Sequence, residues 1–259
     1  MLAILRDHRG FTIGELVVAT AILGLLAGGL LQVQQVSLDT FVRASSSAEA
    51  QGESRAGIDQ IAGELAQAGA YYTGATGAGN AITAATATSI TFLGDVDGDT
   101  LDATGTELRL AADPIGAVLT VDRATTALSA GEWVYLGNGL TREVRQVLSA
   151  VGTVVTLTSA PTNAFPAGSI VRSVETVTYT ITGNNVSRAL NGGAAETLVG
   201  NAVGLTFTYF DAAGTQLSAS PVVTTIREVR VSLTNTAPGG RPGRVMTVRV
   251  RPRSLGLGL

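Results

Sequence analysis

The chain has 259 residues, a formal net charge of −3, no Cys and a single His, His8; its 17 basic side chains are all Arg. This inventory excludes disulfides, thiol nucleophiles and thiolate metal sites, and it carries no basic footprint for nucleic acid. Beyond the first ten residues no His, Cys or Lys occurs, so the usual general bases and nucleophiles are missing and an enzyme is not expected.

Met1 to Gly10 contains Arg6 and Arg9, with Asp7 and His8 between them. The run GFTIGELVVATAILGLLAGGLLQ follows, from Gly10 to Gln32, uncharged between Leu16 and Leu31. That is long enough to cross a bilayer as a helix, and positive charge in front of it holds that end in the cytoplasm. A secretory signal would place small residues at a cleavage site after its apolar region. Here the run passes into Gln32, Gln34 and Gln35, and Ala19-Thr20-Ala21 lies inside it. An uncleaved signal anchor is the plain alternative. Glu15 stands out, because a carboxylate in lipid is costly and needs a partner; a Glu snorkelling near the interface is its plain reading.

The basic leader, Gly10, Phe11, Thr12 and Glu15, in that order, resemble the N-terminal signature of the type IV pilin and pseudopilin superfamily. Ile13 and Gly14 stand where that family has Leu and an aliphatic residue; a helical Gly costs about 1 kcal/mol relative to Ala. The resemblance implies cleavage between Gly10 and Phe11 by a prepilin peptidase, N-methylation of Phe11, and a role for Glu15 in assembly. A freed Phe11 amine at a helix start would favour a nearby carboxylate, and Glu15, four residues on, shares its face. The implied partners are other pilin or pseudopilin subunits, prepilin peptidase and the bacterial inner membrane. The implied location is a single-pass inner-membrane protein with a cytoplasmic N-terminus, then a periplasmic or extracellular filament.

Helical patterning continues from Phe11 to about Ala68 without Pro, which predicts a helix roughly 85 Å long. Ile58, Ile61, Leu65 and Ala68 recur at helical spacing, while Arg55, Asp59, Gln60 and Glu64 face elsewhere. A polar neck from Ser37 to Glu53 separates the lipid-compatible part from this amphipathic part. Gly69 and Gly74 mark the end. Gly24 and Gly28 form a GxxxG pair, which permits close helix approach or is simply tolerated in a span.

Short β-like runs separated by Gly, Thr, Asn and Asp follow. Strands are predicted at Ser89–Leu93, Glu107–Ala111, Glu175–Thr182, Val186–Leu190, Ala202–Phe210, Ile226–Thr234 and Arg244–Arg251, with Gly183-Asn184-Asn185 as a hairpin turn. Five more are predicted between Pro114 and Arg172: Val118–Val121, Trp133–Leu136, Glu143–Leu148, Val154–Thr158 and Ile170–Arg172. The fold expectation is α+β: a long N-terminal membrane-spanning helix packed on an antiparallel, pilin-like β head, with an inserted small β unit. The expected divisions are a cleaved leader at 1–10, a transmembrane and assembly helix at 11–35, and the amphipathic half at 36–70. The head takes 71–113 and 173–259, and the inserted β subdomain 114–172. Trp133, the only Trp, is expected in the core of that unit. The stretches IAGELAQAG, TFLGDVDGD, YFDAAG and RPRSL resemble PilW-like minor pilins and the J-type minor pseudopilins of type II secretion.

Asp95, Asp97 and Asp99 alternate in GDVDGDTLD. Carboxylates in a Gly-containing loop suit a hard oxygen-seeking cation such as Ca²⁺, although the spacing is not an EF-hand; a solvated acidic turn is the plain alternative. Taken together, the sequence points to a structural subunit, a minor pilin or pseudopilin that primes or caps a type IV pilus or type II secretion pseudopilus. The alternative is a pilus-tip binding or adhesion module that uses the inserted β unit.

Overall fold

The structure, a computed structural model, describes residues 12–237 and 241–255, with backbone alone at 236, 237 and 241–243. Among these are one α-helix, α1 (Ile13–Ala66), and thirteen strands. The strands are β1 (Ile82–Ala85), β2 (Ser89–Gly94), β3 (Leu108–Arg109), β4 (Val118–Thr120), β5 (Trp133–Gly137), β6 (Arg142–Val151), β7 (Val154–Leu157), β8 (Ile170–Thr182), β9 (Asn185–Leu190), β10 (Glu196–Val199), β11 (Ala202–Phe210), β12 (Glu228–Ala237) and β13 (Arg241–Val250). The fold is α+β, with a helix packed on antiparallel sheets. Residues up to Glu49 form one compact unit and residues from Ala50 onward another.

In the first unit every described residue from Thr12 to Ala44 is exposed, including Leu16, Leu23, Leu26, Leu30 and Phe41. A helix that is apolar all round has no water-facing side, which is the pattern of a membrane span. Among the described residues this is the one helix long and apolar enough to cross a membrane. Gly24 and Gly28 have open space where a Cβ would sit.

In the second unit, α1 buries Ser54, Gly57, Ile58, Ile61, Glu64 and Leu65. Ile58, Ile61 and Leu65 recur every three or four residues, so they line one face. That face joins a core with Ile90, Phe92, Val177 and Tyr179 from one sheet and Leu205, Phe207, Val229, Val231 and Val250 from another. The latter sheet is three-stranded, in the order β11-β12-β13, all antiparallel. The former has ten strands, with a path β1-β2-β8-β5-β6-β7-β4; β3 and β9 also pair with β8, and β10 with β9.

The second core is made of strands and loops alone. It gathers Leu108, Leu110, Leu119, Val121, Leu128, Val134, Leu136, Val147, Val155, Leu157, Phe165 and Val171. The expected boundary between residues 172 and 173 falls inside β8, a single 13-residue strand. Its first half pairs with β5 and β3, and its second half with β2 and β9. The two expected strands are therefore one, and the two cores share it. Gly183, at φ +60°, takes the first central position of the two-residue β8–β9 turn; this type II′ geometry favours Gly there. Trp133 is half-buried outside the second core, its ring edge-on to Tyr72 at 5.5 Å. It belongs to a third, smaller cluster with Tyr72, Ala75, Ala81, Leu93, Val144 and Val174.

Candidate functional site

Two places carry the residues that the sequence singles out. The first is the start of α1. Gly10 and Phe11 lie outside the described residues. Glu15 sits in the first helical turn and is exposed. The Thr12 N–H and hydroxyl both donate to Glu15 Oε2 at 3.0 Å, and the Glu15 N–H donates to Thr12 Oγ1 at 3.2 Å. This reciprocal pair is a capping box, which satisfies two of the N–H groups that a helix start leaves without intrahelical partners. Glu15 thus already has a local partner within its own chain. The T-x-x-E spacing that shows this stood in the sequence, but there it read only as part of the leader signature.

The second place is the loop after β2. Asp95 is buried, while Asp97 and Asp99 are exposed. One oxygen from each of Asp95, Asp97 and Glu175 lies within 4.8 Å of the others. Asp99 turns elsewhere: its Oδ1 accepts from the Ser173 hydroxyl at 2.6 Å. The structure thus keeps two of the three sequence candidates together and brings in Glu175 from β8. A signal for Glu175 existed. Side chains alternate along a strand, so Glu175 shares the inward face of Val177 and Tyr179, and a buried acid was implied.

Each carboxylate has a definite set of partners. Asp95 Oδ1 accepts from the Gly98 N–H at 2.9 Å, and Asp95 Oδ2 from Arg172 Nη1 at 3.1 Å. Arg172 Nη2 donates to Glu107 Oε1 at 2.8 Å, so this guanidinium is shared between two acids. Asp97 Oδ1 accepts from the Asp99 N–H at 3.2 Å. Glu175 Oε2 accepts from the Val96 N–H at 3.0 Å. Glu175 Oε1 is fully buried and has no hydrogen-bond partner.

Burial, outweighing the Val96 N–H and the nearby Ser173 hydroxyl and reinforced by Asp97 and Asp95, pushes the Glu175 carboxyl up to about 7. Burial also raises Asp95 against the pull of Gly98 and Arg172, and raises Asp99 and Glu132. Negative charge is in excess here.

No family model, curated protein or solved structure matches this chain.

Proposed function

We propose that the chain is a minor pilin or pseudopilin, a structural subunit and not an enzyme. It would be cut by prepilin peptidase between Gly10 and Phe11 and built into a type IV pilus or type II secretion pseudopilus. One observation carries this reading: Arg6, Arg9, Gly10, Phe11, Thr12 and Glu15 stand in that order before an uncharged apolar stretch. The helix that contains this stretch, α1, also contributes a buried apolar face to an antiparallel β head. Apolar side chains exposed all round the first unit have two favourable surroundings, lipid before assembly and neighbouring helices after it. A head with two sizeable cores suits a priming or capping position better than a densely repeated one.

Glu15 would have two successive partners. In the separate chain it closes the capping box with Thr12. In the filament it meets the Phe11 amine of its own or an adjoining subunit. Expression of the full chain with prepilin peptidase, followed by mass spectrometry, is expected to give mature protein that begins at N-methylated Phe11. Glu15→Ala is expected to be inserted and cleaved but poorly incorporated into filaments. Glu15→Gln separates the two roles, because Gln at this position still closes a capping box while the charge is gone; it is expected to assemble as poorly as the Ala variant. Mature protein that begins at Met1 or beyond Leu31, or normal assembly of both variants, refutes the reading.

A further inference from the structure

We propose that Asp95, Asp97 and Glu175 form a Ca²⁺ site that fastens the β2–β3 loop to β8, a property separate from filament assembly. The spacing of the acids alone would not carry this, since solvated acidic loops are common. The added observation is Glu175: it is 3% exposed, its Oε1 is buried without a hydrogen-bond partner, and one of its carboxylate oxygens lies within 4.8 Å of oxygens of both Asp95 and Asp97. A buried carboxylate oxygen without a donor is destabilising, and like charges alongside make it more so. The polar groups around it do not solve the problem: the nearby Ser173 hydroxyl donates to Asp99 Oδ1 at 2.6 Å. Val96 reaches the other oxygen of Glu175, and Arg172 faces Asp95 and Glu107. Asp99 and Glu132 add further negative charge nearby.

A cation answers the burial and the repulsion together. All the donors are carboxylate oxygens, which is the ligand set of a hard ion. Ca²⁺ tolerates the irregular geometry of a loop joined to a strand, whereas Mg²⁺ demands near-ideal octahedral ligands at short distance. The loop follows β2 and β8 runs through both cores, so the ion would tie the acidic loop to the strand that the two cores share.

The test uses the full chain in detergent micelles. Thermal unfolding is followed in EDTA, in 10 mM Ca²⁺ and in 10 mM Mg²⁺, with calorimetric titration of Ca²⁺ alongside. An affinity on the order of 0.1 mM, in the range of extracellular Ca²⁺ modules, predicts a midpoint about 5 °C or more higher in Ca²⁺ than in EDTA. Mg²⁺ is expected to give less than half that shift. Asp97→Asn, at an exposed position, is expected to abolish the response while leaving the EDTA midpoint at or somewhat above that of wild type, because one like charge beside Glu175 is removed. Glu175→Gln is expected to abolish it while raising the EDTA midpoint, because the unpartnered charge is removed. If that variant does not fold, Asp97→Asn decides alone. No heat and no shift at 10 mM Ca²⁺, an equal response to Mg²⁺, or an undiminished response in Asp97→Asn overturns the proposal.

Discussion

The two cores that share β8 close in different ways. The first needs a helix brought against two sheets: α1 packs Ile58, Ile61 and Leu65 among side chains that lie more than a hundred residues away in sequence, such as Tyr179 and Val231. The second closes on itself through nearby pairings, β5 with β6, β6 with β7, and β7 with β4. Loop side chains complete it, Phe165 among them. Docking over long sequence separations depends on a few points of exact fit along the helix. Local closure depends on how firmly the loops are anchored. Single substitutions should therefore damage the first core by disturbing the helix face and the second by releasing a loop.

The sharpest way to break this contrast is at Glu64, a carboxylate that α1 carries into the first core. Its Oε2 accepts from the Tyr179 hydroxyl at 2.6 Å and from Arg188 Nε at 3.0 Å, and its Oε1 accepts from the Gln60 amide at 3.1 Å. Glu64→Ala leaves a buried phenol and a mostly buried guanidinium without their acceptor. Removing one partner of such a group costs about 3 kcal/mol or more, which lowers the unfolding midpoint by roughly 6–12 °C in a protein of this size. Glu64→Gln should recover part of the loss by keeping one acceptor oxygen. A midpoint within 2 °C of wild type for Glu64→Ala would mean that the apolar face alone holds the helix in place.

Gly57 gives a smaller effect and a cleaner control. A Cβ there would overlap Val199 Cγ2, whose residue is fully buried on β10, whereas a Cβ at Gly63 meets nothing within 4 Å. Ala has the higher helix propensity at both positions, by about 1 kcal/mol. Overpacking at Gly57 costs about 1–3 kcal/mol and should outweigh it. Gly57→Ala is therefore expected to destabilise by about 1 kcal/mol, and Gly63→Ala to stabilise by a few tenths to about 1 kcal/mol. If both substitutions change the melting midpoint in the same direction, the helix does not approach β10 as closely as the structure indicates.

The legible and illegible parts of the chain divide by the range of the interactions involved. The stripe of α1 reads directly, because Ile58, Ile61 and Leu65 follow the helical period whatever they pack against. Most strands read from alternation and turn residues, but β1 (ITAA) and β10 (ETLV) are four residues each and lack a run of large side chains. The strand end expected within β8 has a specific cause. Arg172 and Ser173 interrupt an apolar pattern and so resemble a strand end. Both are buried, because Asp95 and Glu107 pair with Arg172 and Asp99 accepts from Ser173, from positions more than sixty residues earlier. Glu175 escaped notice for the same reason. Alternation placed it inward, but nothing local to it indicated the Asp95 and Asp97 carboxylates that it meets.

Glu143 sharpens the other side of the contrast, because it anchors the loop that carries Phe165 into the second core. It lies on β6, fully buried. Its Oε1 accepts from the Thr162 N–H at 2.8 Å, and its Oε2 from the Asn163 N–H at 3.0 Å and the Asn163 side-chain amide at 2.9 Å. Arg145 forms an ion pair with it. Burial pushes this carboxyl up, but the donors of Thr162 and Asn163, with Arg145, outweigh burial and hold it below its ordinary value of 4.5. A carboxyl depressed in the folded state adds stability that is present above its unfolded value and is lost as pH falls through the folded value. Glu143→Gln keeps the shape but presents an amide NH₂ to groups that are themselves donors. At pH 7 it should destabilise by roughly 1 kcal/mol. As pH falls through the depressed folded value of wild-type Glu143, the gap between the two melting midpoints should narrow, even though other carboxylates make both proteins less stable in acid. A gap that stays constant down to the lowest pH at which both proteins still fold, together with a Glu143→Gln midpoint equal to wild type at pH 7, would show that the ionised carboxylate does not hold the loop, and that Phe165 keeps its place in the second core by apolar packing alone.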